Sequence, residues 1–103
     1  MAIYVNRDLA KKYLSSPSDD KWFYLQDGNA LKSIYDLQQY LSNCGDDGYK
    51  KYVNGERNDF YSWVKGVFSN TRLAAGLKKA RTPNEARLYV DRNIKILEKN
   101  AKR

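Results

Sequence analysis

The chain has 103 residues and 12.0 kDa, nineteen Lys and Arg against twelve Asp and Glu, and a mean hydropathy of −0.82; this length suits one domain, and its nine Tyr, three Phe and two Trp are too many large rings for a disordered chain. There is no histidine and one cysteine, Cys44, which excludes Ser-His and Cys-His nucleophiles, the commonest metal ligand, an internal disulfide and a Cys-based zinc site, and fits a reducing compartment. Its longest apolar runs, Met1-Ala2-Ile3-Tyr4-Val5 and Trp22-Phe23-Tyr24-Leu25, fall far short of the roughly 20 residues of a membrane span or the roughly 7–15 of a signal-peptide core, and residues 1–5 are too short to act as a targeting segment, so a cytoplasmic protein is expected.

Asn6 or Asp8 opens a first predicted helix in which Leu9, Ala10, Tyr13 and Leu14 share a face. Ser15-Ser16-Pro17-Ser18-Asp19-Asp20 breaks it with turn chemistry. Residues 21–26, followed by Asp27-Gly28, read as an extended segment or a single strand for which the sequence offers no partner. Ser33-Ile34-Tyr35-Asp36 has the form of a capping box, and Ile34, Leu37, Tyr40 and Leu41 carry one apolar face onward. Asn43-Cys44-Gly45-Asp46-Asp47-Gly48 supplies the stop, with a glycine just past the helix end.

Tyr49-Lys50-Lys51-Tyr52-Val53 predicts one helical turn before the turn-prone Asn54-Gly55-Glu56-Arg57. Asn58 or Asp59 then caps a helix bearing a dense stripe of Phe60, Trp63, Val64, Val67 and Phe68. Ser69-Asn70-Thr71 stops that helix and starts another, with Leu73, Ala74 and Leu77 facing inward. Thr82-Pro83-Asn84-Glu85 is the clearest start in the chain: Thr as N-cap, Pro where its missing N–H costs nothing, and Glu reaching back. Ala86, Val90, Ile94, Leu97 and Ala101 line the final helix. No internal repeat or low-complexity linker is visible.

The expected fold is therefore all-α or nearly so, a bundle of four to five short helices in a single domain spanning residues 1–103, with one candidate extended segment near residues 21–26. Its expected core is Leu9, Tyr13, Trp22, Phe23, Leu25, Leu31, Ile34, Leu37, Leu41, Tyr52, Phe60, Trp63, Val64, Val67, Leu73, Leu77, Val90, Ile94 and Leu97.

Phe23-x-Leu25-x-Asp27-Gly28, Ile34-x-x-Leu37-x-x-x-Leu41, Tyr49-x-x-Tyr52-Val53-Asn54, Asn58-Asp59-Phe60-x-x-Trp63-Val64 and Leu73-Ala74 follow one another over about residues 22–77. In these elements, most specifically Asn-Asp-Phe-x-x-Trp, the chain resembles a small archaeal domain family of unknown function. The resemblance implies a compact helical module, found alone or appended to larger proteins, with no established chemistry. Where the family carries a histidine this chain has Tyr52, so a role resting on an imidazole there does not transfer.

Charge is distributed unevenly. Residues 1–59 hold eight Lys and Arg against nine Asp and Glu, whereas residues 60–103 hold eleven against three. On the final helix Arg92, Lys95, Lys99 and Lys102 recur at spacings of three, four and three, placing them on one face rotated away from the apolar stripe. Lys78, Lys79 and Arg81 precede that helix and extend the patch. Such a ridge attracts phosphates and binds them in a salt-sensitive, sequence-tolerant way. The plainer reading is a solvated helix face whose cations suit the helix dipole. Tyr49-Lys50-Lys51-Tyr52, with Arg57 nearby, alternates rings and ammoniums, as base stacking on an exposed loop requires; alternatively both rings fill the core and Lys50 and Lys51 merely point outward.

Asn58-Asp59-Phe60-x-x-Trp63 reads as a cap followed by core anchors, or as a site where Trp63 lines a groove for a partner's side chain. Asp46-Asp47 with Glu56, or Asp19-Asp20, is the only material for a Mg²⁺ site; adjacent aspartates in turns are more often turn formers, and neither an EF-hand nor a phosphate-loop spacing occurs. With no base in the sequence to deprotonate it, Cys44 reads as an inert thiol. The expectation is a basic, non-catalytic interaction module without cofactor or metal, docking a protein partner or neighbouring domain. The alternative is a nucleic-acid-binding protein using the basic ridge.

Overall fold

Side-chain caps decide where most of the helices begin. In the computed structural model, which describes residues 6–102 and so leaves the stretch weighed as a targeting segment (residues 1–5) outside the described residues, the Leu9 amide donates to Asn6 Oδ1 at 2.8 Å and opens α1 (Arg7–Leu14). After a 3₁₀ turn at Asp19–Lys21, β1 (Phe23–Tyr24) pairs antiparallel with β2 (Ala30–Leu31), Phe23 opposite Leu31. The extended segment thus has a partner, reached through a turn at Gly28, whose φ of 94° favours glycine. Two residues carry no readable periodicity, which is why β2 has no signal in the sequence.

Next, α2 (Ile34–Asn43) starts on half a capping box: Ser33 makes no side-chain cap bond, while the Lys32 amide donates to Asp36 Oδ2 at 2.9 Å. Gly45, at φ 66°, ends α2 as expected, but the chain re-enters a helix at once, α3 (Gly45–Lys50), where only a later turn had been foreseen. Gly48 makes this corner possible, since a Cβ there would lie 2.8 Å from Cys44 Cβ. The stretch 53–58 is a second hairpin, β3 (Val53–Asn54) with β4 (Arg57–Asn58), not a plain turn.

Asn58, not Asp59, caps α4 (Asp59–Trp63), accepting from the Tyr61 amide at 3.0 Å, and its Nδ2 donates to the Leu77 carbonyl at 2.9 Å. A π-helical turn, Val64–Phe68, then widens the helix. The extra width swings Phe68 onto the line of Phe60 and Val64 and leaves Val67 only half-buried, contrary to its core placement. Asn70 caps α5 (Thr71–Lys79), and Thr82 caps α6 (Pro83–Ala101), where the Arg81 amide donates to Glu85 Oε1 at 2.8 Å. The molecule is 67% helical, with six α-helices among the described residues where four to five were expected.

The longest helix, α6, lies along α1 and α2 and also packs on α5 and α3. Val90, Ala86 and Leu97 are fully buried in that packing, and the buried Asn70 donates through Nδ2 to Asn93 Oδ1 at 2.9 Å, pinning the start of α5 to α6. The second half of the core is aromatic. Phe60, 1% exposed, has the rings of Phe23, Tyr40, Tyr49 and Tyr52 within 5.1–6.2 Å. Trp63 meets Phe23 and Phe68, and its indole N–H donates to the Lys21 carbonyl at 2.8 Å. Trp22 is a correction: it is half-buried at the rim, donating to the Pro17 carbonyl with the Lys32 ammonium 4.7 Å from its ring. Leu9, Phe23 and Leu25 are likewise half-buried against the core rather than inside it.

Removing the Trp63 indole by Trp63→Ala is expected to cost about 3–5 kcal/mol, comparable with the whole stability of a small domain; an unchanged melting temperature would contradict the packing just described. The aromatic core also sets a limit on the alkaline side. Burial chiefly pushes the Tyr40 phenol from 10.0 up to about 12, and its hydroxyl donates to the Gly48 carbonyl at 2.9 Å. Tyr49 and Tyr35 are raised as well, again first by burial. Unfolded tyrosines therefore lose protons before the folded ones do, and stability falls as pH climbs from about 10 to about 12. Urea midpoints measured across that window should drop, and Tyr40→Phe should flatten the decline.

Candidate nucleic-acid interface

Electrostatics here follow from where the carboxylates are committed. All three acids of residues 60–103 have structural partners. Glu85 takes the Arg81 amide; Asp91 takes the Arg87 guanidinium at 2.8 Å and the Gln38 amide at 2.7 Å; Glu98 takes the Tyr35 hydroxyl at 3.0 Å. Among the described residues the ion pairs are Arg87–Asp91 and Arg57–Asp59. Lys50, Lys51, Lys78, Lys79, Arg81, Arg92, Lys95, Lys99 and Lys102 are all exposed and none belongs to either pair.

The structure sorts these cations into groups instead of one straight ridge. Lys50, Lys78, Lys79 and Arg81 line a cleft of about 970 Å³ between α3, the β3–β4 hairpin and the end of α5. Arg57 and Tyr61 line it too, and Glu56 is the acid on its wall. A groove of about 470 Å³ between α5 and α6 is lined by Arg72, Lys79 and Arg92 with Tyr89. Lys79 borders both, so the two concavities adjoin. Lys51, Lys95, Lys99 and Lys102 border neither, the last three continuing along the outward face of α6.

Close helix packing shapes the groove. At Gly76 a Cβ would lie 2.6 Å from the Tyr89 ring, so a side chain there would force α5 and α6 apart. Arg72 and Tyr61 are additions the structure makes to the predicted cations, and it brings Arg57 to the cleft beside them. For Arg72 the signal was available, because Arg72 and Lys79 are seven apart and share a helix face. Tyr61 had none, since its place in the cleft depends on α5 returning beside α4.

In both aromatic motifs the core reading holds and the binding alternative does not. Tyr49 and Tyr52 are 3% and 5% exposed, their oxygens engaged with the Ala80 carbonyl and the Gln26 amide, so they form no stacking loop. Trp63 is 7% exposed and serves the core, so it lines no partner groove. Asp46 and Asp47 sit in the first turn of α3, and among the described residues no three carboxylate or thiol groups gather as a metal site would need. Burial pushes the Cys44 thiol above its ordinary value. No helix among the described residues is long and apolar enough to cross a membrane.

Because Lys79 supports no buried partner, Lys79→Glu is expected to change stability by less than about 1 kcal/mol, most of it through the α5 dipole. Thermal unfolding checks this, and a larger loss would mean the lysine holds the fold together. Comparison of the chain with protein-family models, with curated proteins and with solved structures finds no match.

Proposed function

We propose that this chain is a non-catalytic module that binds nucleic acid through the cleft and groove on either side of Lys79. One observation carries the reading: Lys and Arg side chains converge on adjoining concavities and outnumber Glu56, the acid on the cleft wall, while Glu85 and Asp91 are committed to a cap and an ion pair. Cations left without partners in a recess raise the local potential and gain most from phosphate, which releases counterions as each contact forms. The absence of histidine and the inert environment of Cys44 support a binding role without a cofactor, and a lone thiol supports a cytoplasmic setting. The likeness of Asn58-Asp59-Phe60-x-x-Trp63 to the archaeal family belongs to the same proposal and supports a helical module without assigning it chemistry.

A second reading, docking of a protein partner or neighbouring domain, is favoured by a different surface. Tyr24 is 58% exposed beside the half-buried Trp22, at a shallow groove of about 850 Å³ against α2. Salt separates the two. Labelled DNA and RNA titrated at about 50 and about 200 mM salt should bind in the micromolar range at the lower salt and lose affinity by orders of magnitude at the higher. Failure to bind at low salt removes the nucleic-acid reading and leaves the Tyr24 surface as the one to pursue.

A further inference from the structure

Resting on that reading, we infer that the occupant is single-stranded nucleic acid, one strand crossing α5 from the Lys50–Arg81 cleft into the Arg72–Arg92 groove. Shape is the first argument. The cations around Lys79 border recesses, whereas a duplex is a broad convex cylinder whose phosphates are met by protruding side chains or by a helix laid in its groove. A single strand is narrow and flexible enough to follow the path. Arg72 and Lys79 lie roughly 10 Å apart along the helix, a span that phosphates about two nucleotides apart on one extended strand can bridge.

Rings supply the second argument. Each recess pairs an aromatic ring with cations: Tyr61 in the cleft and Tyr89 in the groove. The Lys65 and Lys78 ammoniums both lie 5.5 Å from the Tyr61 ring centre, and Lys65 Nζ donates to the Tyr61 hydroxyl at 3.2 Å. Both lysines are exposed. When a phosphate arrives they can turn to it, leaving the ring for a base, which is the pairing of stacking platform and ammonium that single strands use. In a duplex the bases are already stacked on one another, so Tyr61 would add nothing.

Anisotropy titrations of labelled oligo(dT) and oligo(U) of about 12 nucleotides, against a hairpin duplex with the same number of phosphates, test this at fixed salt. Single strands should bind at least about tenfold tighter than the duplex. Tyr61→Ala should weaken single-strand binding roughly 5- to 150-fold with the salt dependence unchanged, while Tyr61→Phe keeps wild-type affinity. Lys79→Glu should weaken binding and reduce its salt dependence, and Lys95→Glu with Lys99→Glu should do little. Tyr61 and Lys79 are outside the buried core, and thermal unfolding of each variant verifies folding. Duplex bound as tightly as single strand, or sensitivity to Lys95 and Lys99 but not to Tyr61, overturns the inference and leaves the broader nucleic-acid reading standing. Binding to neither form at low salt ends both.

Discussion

Phe60 touches the rings of Phe23, Tyr40, Tyr49 and Tyr52, so one side chain joins β1, α2, α3 and α4. None of these elements could persist alone. The strands are two residues long, α3 has six residues and α4 five, below the length at which isolated helices hold together in water. Their backbone order depends on burying the rings they carry. Trp63 extends the same arrangement in both directions, packing on Phe68 and tying the 3₁₀ turn at Asp19–Lys21 through its indole N–H. With one cysteine in the chain, no internal disulfide can take over that task.

Amides position what the rings hold. Asn58 and Asn70 each do two jobs, capping a helix with the oxygen and reaching another element with the nitrogen: Leu77 in α5 for Asn58, Asn93 in α6 for Asn70. Those links fix α5 between α4 and α6, which is the arrangement that makes both recesses. Lys79 borders two concavities because α5 is flanked on both sides, and Gly76 lets the Tyr89 ring approach without a side chain intervening.

The positive surface arises from the same commitments. Glu85, Asp91 and Glu98 are drawn into a cap, an ion pair and a hydrogen bond between α2 and α6. Carboxylates that stabilise the fold are thereby unavailable to neutralise lysines. The surplus of cations in the second half of the chain becomes a field outside the core, and the aromatic residues at the edges of the recesses, Tyr61 and Tyr89, give that field a place to hold a base as well as a phosphate.

Much of this was legible in the residues. The helical character, the Thr82-Pro83-Asn84-Glu85 start, the inward faces of α2, α5 and α6 and the basic second half all follow from local pattern, because caps and apolar spacing act over three or four residues. What pattern did not reveal were short or non-local features: β2 and the β3–β4 hairpin, the immediate restart at Gly45, and the π turn that exchanges Phe68 for Val67. The site shows the same division. That Lys78, Lys79 and Arg92 are exposed cations is a property of their helix faces, and that Arg81 is exposed follows from its place in the loop between α5 and α6; both were determined by sequence. That Lys79 joins them to Arg57, Arg72 and Tyr61, while Lys95, Lys99 and Lys102 stay outside, was decided by tertiary structure alone. A helix face is set by neighbours a turn away, but a recess exists only where separate helices meet, at an angle and distance fixed by the rings and amides between them.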